Sequence, residues 1–246
     1  LFFADQSVSL TLSCASPEQL PATITHLLVA SKTPYTEAAL RRVKGHISDK
    51  TLVLRFQNGM GALDGRLPAG TAVLEAITTS AVKGQSPQHT IVAENTTWLG
   101  GTQQPPEWLK GLQRHWPDLH WEADIRFVQW KKLVANAVIN PLTALHDVPN
   151  GAVVDDPALQ QEAHALCAEA DTLLTALDSR WPGHSFSAVL QVARATAGNT
   201  SSMRADRQRG ATTEIEAING WLLRQAQRHG LDLPTHRRLV KALTPT

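Results

Sequence analysis

The residue pattern of this chain changes once, near residue 122, and that change restricts the folds open to it. Before it, short apolar runs of strand length alternate with turn residues and one helical stretch; after it, apolar residues recur at helical spacing. In the first part, Val8, Leu10, Leu12 and Cys14 alternate with polar residues at the period of a half-buried strand. The run Ile24 to Ala30 (ITHLLVA) is followed by a helical stretch, Thr36 to Val43, and then by the run Thr51 to Phe56 (TLVLRF). Strand, crossover helix and strand is the order of a parallel sheet. Thr71 to Val82 and His89 to Leu99 read as two more strands around the loop-forming Lys83-Gly84-Gln85-Ser86-Pro87, a pair suited to an antiparallel hairpin at the far edge of that sheet.

Beyond Trp121 the spacing predicts helices over Val128 to Val138, Pro157 to Leu177, Ser185 to Arg194 and Glu214 to Arg228, the last closed by Gly230 and Pro234. A break or kink is expected at Asn140-Pro141, because proline has no amide donor and crowds the preceding turn. The expected architecture is thus an α/β domain over 1–122 and an all-α domain over 123–246.

Charge and cysteine content narrow the function. Lys plus Arg number 23 against 22 Asp plus Glu, a net charge of +1, and no segment concentrates basic residues as a nucleic-acid or anionic-membrane footprint would. Cys14 and Cys167 lie far apart with no CxxC or Cys/His cluster, which argues against a disulfide framework and structural zinc and for a reducing cytosol. No apolar run approaches the roughly 20 residues of a spanning helix. The chain opens Leu1-Phe2-Phe3-Ala4, already strand-like and without an initiator methionine, and is expected to be a fragment.

Three segments carry candidate chemistry. In WKKLVANAVINPLTAL (130 to 145), Lys132, Asn136 and Asn140 fall at i, i+4 and i+8, so each step adds about 40° around a helix and the three form one polar stripe. A solvated face is the plain alternative. Two asparagines, mediocre helix formers, beside a lysine favour a wall facing a polar ligand, with Lys131 about 100° away as the exposed neighbour. Gln57-Asn58-Gly59-Met60-Gly61 follows a predicted strand, where loops form the ligand crevice of a parallel sheet and glycines permit close backbone approach; an ordinary turn is the alternative. Asn199-Thr200-Ser201-Ser202-Met203 is followed by Arg204 to Gly210 and then by Thr212-Thr213-Glu214-Ile215-Glu216. Thr213 and Glu216 have capping-box spacing, which puts Glu214 in a first helical turn, stabilised by the helix dipole whether or not it has a further role. Gly210 is expected to break the line between Ser202 and Glu214. Lys32, ending the strand Ile24 to Ala30, could reach a phosphate or could simply be exposed.

Taken in order, LLVASK (27 to 32), QNGMG (57 to 61), WKKLVANAVINPLTAL (130 to 145), PNG (149 to 151) and NTSSMRADRQRGATTEIEAINGWLLRQAQRHGLDLP (199 to 234) resemble the ketopantoate reductase family. The resemblance implies a Rossmann-type N-terminal domain that binds NADPH, a helical C-terminal domain, and ketopantoate held in the cleft between them. Carried over by position, Lys132 matches the catalytic lysine and Asn136 and Asn140 the substrate asparagines of the same helix. Asn58 matches a residue touching cofactor and substrate, Lys32 a cofactor lysine, Ser202 a substrate serine, and Glu214 a catalytic glutamate near lysine and cofactor. Asn150 and Asn199 match further polar residues of the cleft, and Val82 a largely backbone cofactor contact. Family members begin with a strand and GxGxxG, whose helix N-terminus holds the pyrophosphate; neither this loop nor the basic residue that follows it is present here. The first two strands are therefore expected to be missing and dinucleotide affinity to be weak. His236 stands where the family usually has asparagine.

The implied reaction is NADPH-dependent reduction of ketopantoate to (R)-pantoate for pantothenate synthesis, with Lys132 as general acid and no metal. A reductase of another branched 2-keto acid, or a non-catalytic dinucleotide-binding or metabolite-binding remnant, are the alternatives. The expected partner is a small keto acid, without nucleic acid or membrane; homodimer formation is left open.

Overall fold

A computed structural model describes residues 2–3, 6–7, 15–85, 88–116 and 118–244. The expected strand from Val8 to Cys14 lies outside the described residues. Two compact units emerge. Among the described residues, one holds those up to Ser31 with Glu37–Gln57 and Gly65–Arg126; the other holds those from Phe127 onward together with two short segments of the first half, Lys32–Thr36 and Asn58–Asp64.

The first unit is built on a five-stranded sheet. Strands β1 (Phe2–Phe3) and β2 (Gln6–Ser7) form a separate antiparallel pair. The main sheet has the order β3 (His26–Val29), β4 (Leu52–Arg55), β5 (Ala72–Thr78), β8 (Thr97–Gly100), β9 (Leu119–Trp121). β3, β4 and β5 run parallel with Leu27 opposite Val53 and Val53 opposite Val73, as the strand, helix and strand order requires, and helix α1 (Thr36–Val43) makes the crossover. Val53, Leu74 and Leu99 are fully buried, the mark of strands covered on both faces.

The expected hairpin divides in two. β5 pairs antiparallel with β8, while β6 (Ala81–Gln85) and β7 (Gln88–Ala93) peel away as a two-stranded ribbon. The pairing is antiparallel, as read from the sequence, but its place is not the sheet edge: β9 adds in parallel outside β8. The departure occurs at Thr79 and Ser80, where Ser80 Oγ accepts from the Asn95 amide (2.9 Å) and donates to the Asn95 carbonyl (3.0 Å) in place of ladder bonds. Helix α2 (Leu109–Gln113) lies with its Leu109 in a small core with Ala76, Leu99 and Leu119.

The second unit is helical: α3 (Arg126–His146), α4 (Ala152–Asp155), α5 (Pro157–Leu177), α6 (Ser185–Ala195), α7 (Ser202–Gln208), α8 (Ile215–Arg228) and α9 (Pro234–Leu243). Asp156 caps α5, accepting from the Ala158 amide at 2.8 Å, with Pro157 at the first helical position. The α/β and then all-α arrangement expected from the sequence is the one observed.

Of the break or kink expected at Asn140-Pro141, a break does not occur: α3 is helical on both sides of Pro141. A proline at 141 leaves the carbonyl of Ala137 without its i+4 amide. Asn219 of α8 supplies the missing donor, its Nδ2 lying 2.8 Å from that carbonyl. The same amide nitrogen lies 2.9 Å from Nδ1 of His236, whose Nε2 is 3.1 Å from the Leu166 carbonyl. His236 thus accepts at Nδ1 and donates at Nε2, and one polar chain ties α3, α5, α8 and α9 through two side chains, Asn219 and His236, with no exposed surface.

Candidate functional site

Helix α3 carries the polar stripe. Leu133, Val134, Ala137 and Val138 are in the core, Lys131 is exposed, Lys132 and Asn136 are half-buried, and Asn140 is 8% exposed. The stripe thus runs from two partly exposed residues, Lys132 and Asn136, to a buried one, Asn140, and Lys131, about 100° away, is exposed. The C-terminal end of α3 is held by α7. Asp147, in the left-handed region at φ 54°, accepts from Arg204 Nε and Gln208 Nε2, both at 2.8 Å, while Arg207 Nη1 donates to the Ala144 carbonyl at 2.6 Å.

Glu214 does not sit where the capping box would place it. Helix α8 begins at Ile215, Glu214 is the residue before it, and no capping bond forms from its side chain. Its buried carboxylate instead accepts from Thr33 at both backbone N (3.1 Å) and Oγ1 (3.2 Å), and from Asn58 Nδ2 (3.2 Å). Glu216, expected to reach back to the cap, pairs with Arg224 at 3.4 Å. Thr213 Oγ1 still accepts from the Ile215 amide at 3.4 Å, so only the Glu216 half of the motif is absent, and the buried Glu214 carboxylate takes the several donors it needs from other segments.

The turn after β4 is packed as tightly as its glycines suggested, though against protein. Gly59 has φ 68°, and a Cβ there would lie 2.5 Å from the Ala217 carbonyl; the next amide, of Met60, donates to that carbonyl at 2.8 Å. The glycine is required by close approach to α8, which fixes Asn58 beside Glu214.

Lys32 follows β3, and its Nζ lies 2.5 and 2.6 Å from the two carboxylate oxygens of Asp206 on α7. Sequence reasoning did not single out Asp206 or Thr33. The signal for Asp206 was its position four residues after Ser202, on the same face of a helix.

The other expected residues divide. Ser202 is the exposed first residue of α7, while its neighbour Ser201 is buried, capping α7 through Arg204 N (3.1 Å) and lying 2.7 Å from Thr143 Oγ1. Gly210, at φ 66°, follows α7 and separates it from α8, as expected. Asn150 is buried: its amide N–H donates to the Asn199 carbonyl, its Nδ2 to Thr196 Oγ1, and its Oδ1 has no hydrogen-bond partner among the described residues. Asn199 is exposed. Val82 is exposed on β6 of the first unit. Cys167 is buried in the helical core, and desolvation raises its thiol to about 12, which leaves it inert. Among the described residues no cluster of His, Cys, Asp or Glu suits a metal, and no helix is long and apolar enough to cross a membrane.

A Rossmann-like sheet followed by a helical unit is a two-part α/β and all-α architecture, and comparison with known proteins narrows it. Residues 4–104 match the family described as ketopantoate reductase PanE/ApbA, and 124–245 match its C-terminal part. The 2-dehydropantoate 2-reductase of Shigella flexneri is 34% identical over 241 residues, covering 94% of this chain and 77% of the relative. That of Archaeoglobus fulgidus is 33% identical over 202 residues, covering 78% and 67%. The chain belongs to the ketopantoate reductase family. Among solved structures, the 2-dehydropantoate 2-reductase of Geobacter metallireducens superposes with a TM-score of 0.80 at 21% identity, covering 93% of this chain and 79% of that one. A D-mandelate dehydrogenase solved with NADH and anilino(oxo)acetate superposes at 0.83 with 17% identity, covering 98% and 82%. These last two likenesses concern the fold.

Proposed function

We propose that this chain reduces 2-dehydropantoate to (R)-pantoate with NADPH, Lys132 acting as proton donor. The observation that carries the reading is the stripe on α3: an amine and two carboxamides recessed on a helix whose remaining faces are largely core. Reducing a ketone requires a hydride, a proton for the developing alkoxide, and anchors for the carboxylate. The dinucleotide, when bound, supplies the hydride. Lys132 Nζ delivers the proton to the ketone oxygen, Asn136 and Asn140 hold the carbonyl and hydroxyl oxygens, and Ser202 anchors the carboxylate. Asn199 and Asn150 add polar contacts to the substrate.

Glu214 and Asn58 are fixed to each other, and Glu214 to Thr33, a rigid group suited to orienting substrate beside the dinucleotide. What supports a dinucleotide here is Lys32: two of its three ammonium donors lie on Asp206 and, among the described residues, the third has no partner. Val82 adds a backbone contact. In this reading 1–122 serves chiefly the cofactor and 123–246 chiefly the substrate, in the cytoplasm, with Asn58 and Glu214 serving both and Lys32 and Asn58 carried by the segments that pack with the helical unit.

Turnover of 2-dehydropantoate and 2-ketoisovalerate by the full-length protein, each with NADPH and NADH, tests the proposal. A kcat/KM highest for 2-dehydropantoate with NADPH is expected. Preference for 2-ketoisovalerate would make it a reductase of another branched keto acid, and turnover of neither would refute the enzymatic reading.

A further inference from the structure

Asp206 is 1% exposed and carries a full carboxylate into the helical unit. Three bonds meet it: Lys32 Nζ on Oδ1 at 2.5 Å and on Oδ2 at 2.6 Å, and Arg209 Nη2 on Oδ1 at 2.6 Å. Arg209 closes α7 three residues further on, so its contact is local. The contact with Lys32 spans 174 residues of sequence. A carboxylate buried without compensation is strongly unfavourable, and Arg209 already provides a local counter-charge. The second cation is therefore not needed for neutrality.

The geometry at Lys32 is informative. An ammonium has three donors, and gripping both oxygens of one carboxylate uses two of them and fixes the direction of the third. The Lys32 side chain remains 41% exposed, so that third donor has access to an acceptor from outside the protein. The charges of Lys32, Asp206 and Arg209 sum to one positive, which suits an anionic oxygen. A lysine on a flexible four-carbon stem normally gives up much rotamer freedom when it binds a ligand; here Asp206 has already imposed that order.

We propose that Asp206 is the positioning residue for Lys32, holding its ammonium so that one N–H faces an anionic oxygen of the dinucleotide, with Arg209 keeping the cluster cationic. The inference rests on the reading of Lys32 as a cofactor contact given above. Asp206 itself need not touch the dinucleotide.

NADPH is titrated into the full-length protein by calorimetry for Lys32→Ala, Asp206→Asn and the double variant, with steady-state kinetics alongside. Asp206→Asn is expected to weaken NADPH binding about tenfold, the scale of one charge-assisted hydrogen bond, and to raise KM for NADPH by more than it lowers kcat. Because both single variants disable one device, the double variant should bind no more weakly than Lys32→Ala. If Asp206→Asn lowers only the melting temperature and binds NADPH within twofold of the parent, the proposal is wrong and Asp206 is structural. If Lys32→Ala leaves NADPH affinity unchanged, the proposal falls together with the assignment of Lys32. Should Asp206→Asn not fold, Asp206→Glu retains the charge and displaces the carboxylate by one methylene; several-fold weaker binding is expected, and unchanged binding would overturn the proposal.

Discussion

Replacing Asn219 by leucine tests why a proline is tolerated inside α3. Asn219 is fully buried, and its Nδ2 serves two acceptors, the Ala137 carbonyl at 2.8 Å and His236 Nδ1 at 2.9 Å. Leucine fills a similar volume, keeps water out, and leaves both acceptors unpaired. Each buried acceptor left without a donor costs about 1–3 kcal/mol, so two cost roughly 2–6 kcal/mol. Asn219 Oδ1 already lacks a partner among the described residues, and its removal offsets about 1 kcal/mol of that. A net loss of about 3 kcal/mol is expected, equivalent to roughly 6–12 °C in Tm for a chain of this size. The decisive comparison is with Pro141→Ala, which restores an amide aimed at the Ala137 carbonyl. In that background Asn219→Leu should cost about 1–2 kcal/mol less, because one of the two acceptors has regained its donor. Urea denaturation of the four proteins closes the cycle. An undiminished cost in the Pro141→Ala background would refute the idea that Asn219 covers the carbonyl that proline leaves open.

Three further outcomes are expected. Lys132→Ala should lower kcat by about 10² to 10⁴, the usual worth of a general acid, with circular dichroism unchanged, while Lys131→Ala is nearly silent; the reverse pattern would mean the wrong lysine faces the site. Ser202→Ala should raise KM for the keto acid more than it lowers kcat, as loss of a uniform binding contact does, and a fall in kcat at constant KM would instead place Ser202 at the reacting centre. His236 is held below its usual pKa by burial, against the opposing pull of the Leu166 carbonyl and Glu169, so the unfolded chain takes up its proton first. Its contribution to stability is complete above about pH 6.5 and declines as pH falls through the folded value; His236→Gln should flatten this acid limb of the urea midpoint, and an identical pH slope in the variant would show that another group carries it.

Much of the fold was legible because it depends on local pattern. The crossover from β3 through α1 to β4, and the whole of α5 from Pro157 to Leu177, follow from apolar spacing. The failures share a cause. Pro141 reads as a helix breaker to anyone counting backbone amides within α3, since the donor that serves the Ala137 carbonyl lies 82 residues from it, on α8. The run from Thr71 to Val82 reads as one strand because the Ser80 and Asn95 bonds that divide it are side-chain choices no periodicity records.

The candidate site shows the same division more sharply. The stripe on α3 needed only about 3.6 residues per turn to be found, whereas the burial of Asn140 beside the partly exposed Lys132 and Asn136 is a property of the packing that no spacing records. Glu214 was noticed for a local reason, dipole and capping, that the structure replaces with a tertiary one. Its carboxylate lies next to a helix N-terminus yet bonds to Thr33 and Asn58, residues that follow the ends of two different strands. That substitution explains why Gly59 must be glycine: the turn carrying Asn58 can reach Glu214 only by pressing its backbone onto Ala217, in the first turn of α8. Asn58, Gly59, Glu214 and Ala217 therefore form one constraint, and a side chain at position 59 would push Asn58 off the carboxylate without altering the identity of any residue with a proposed role.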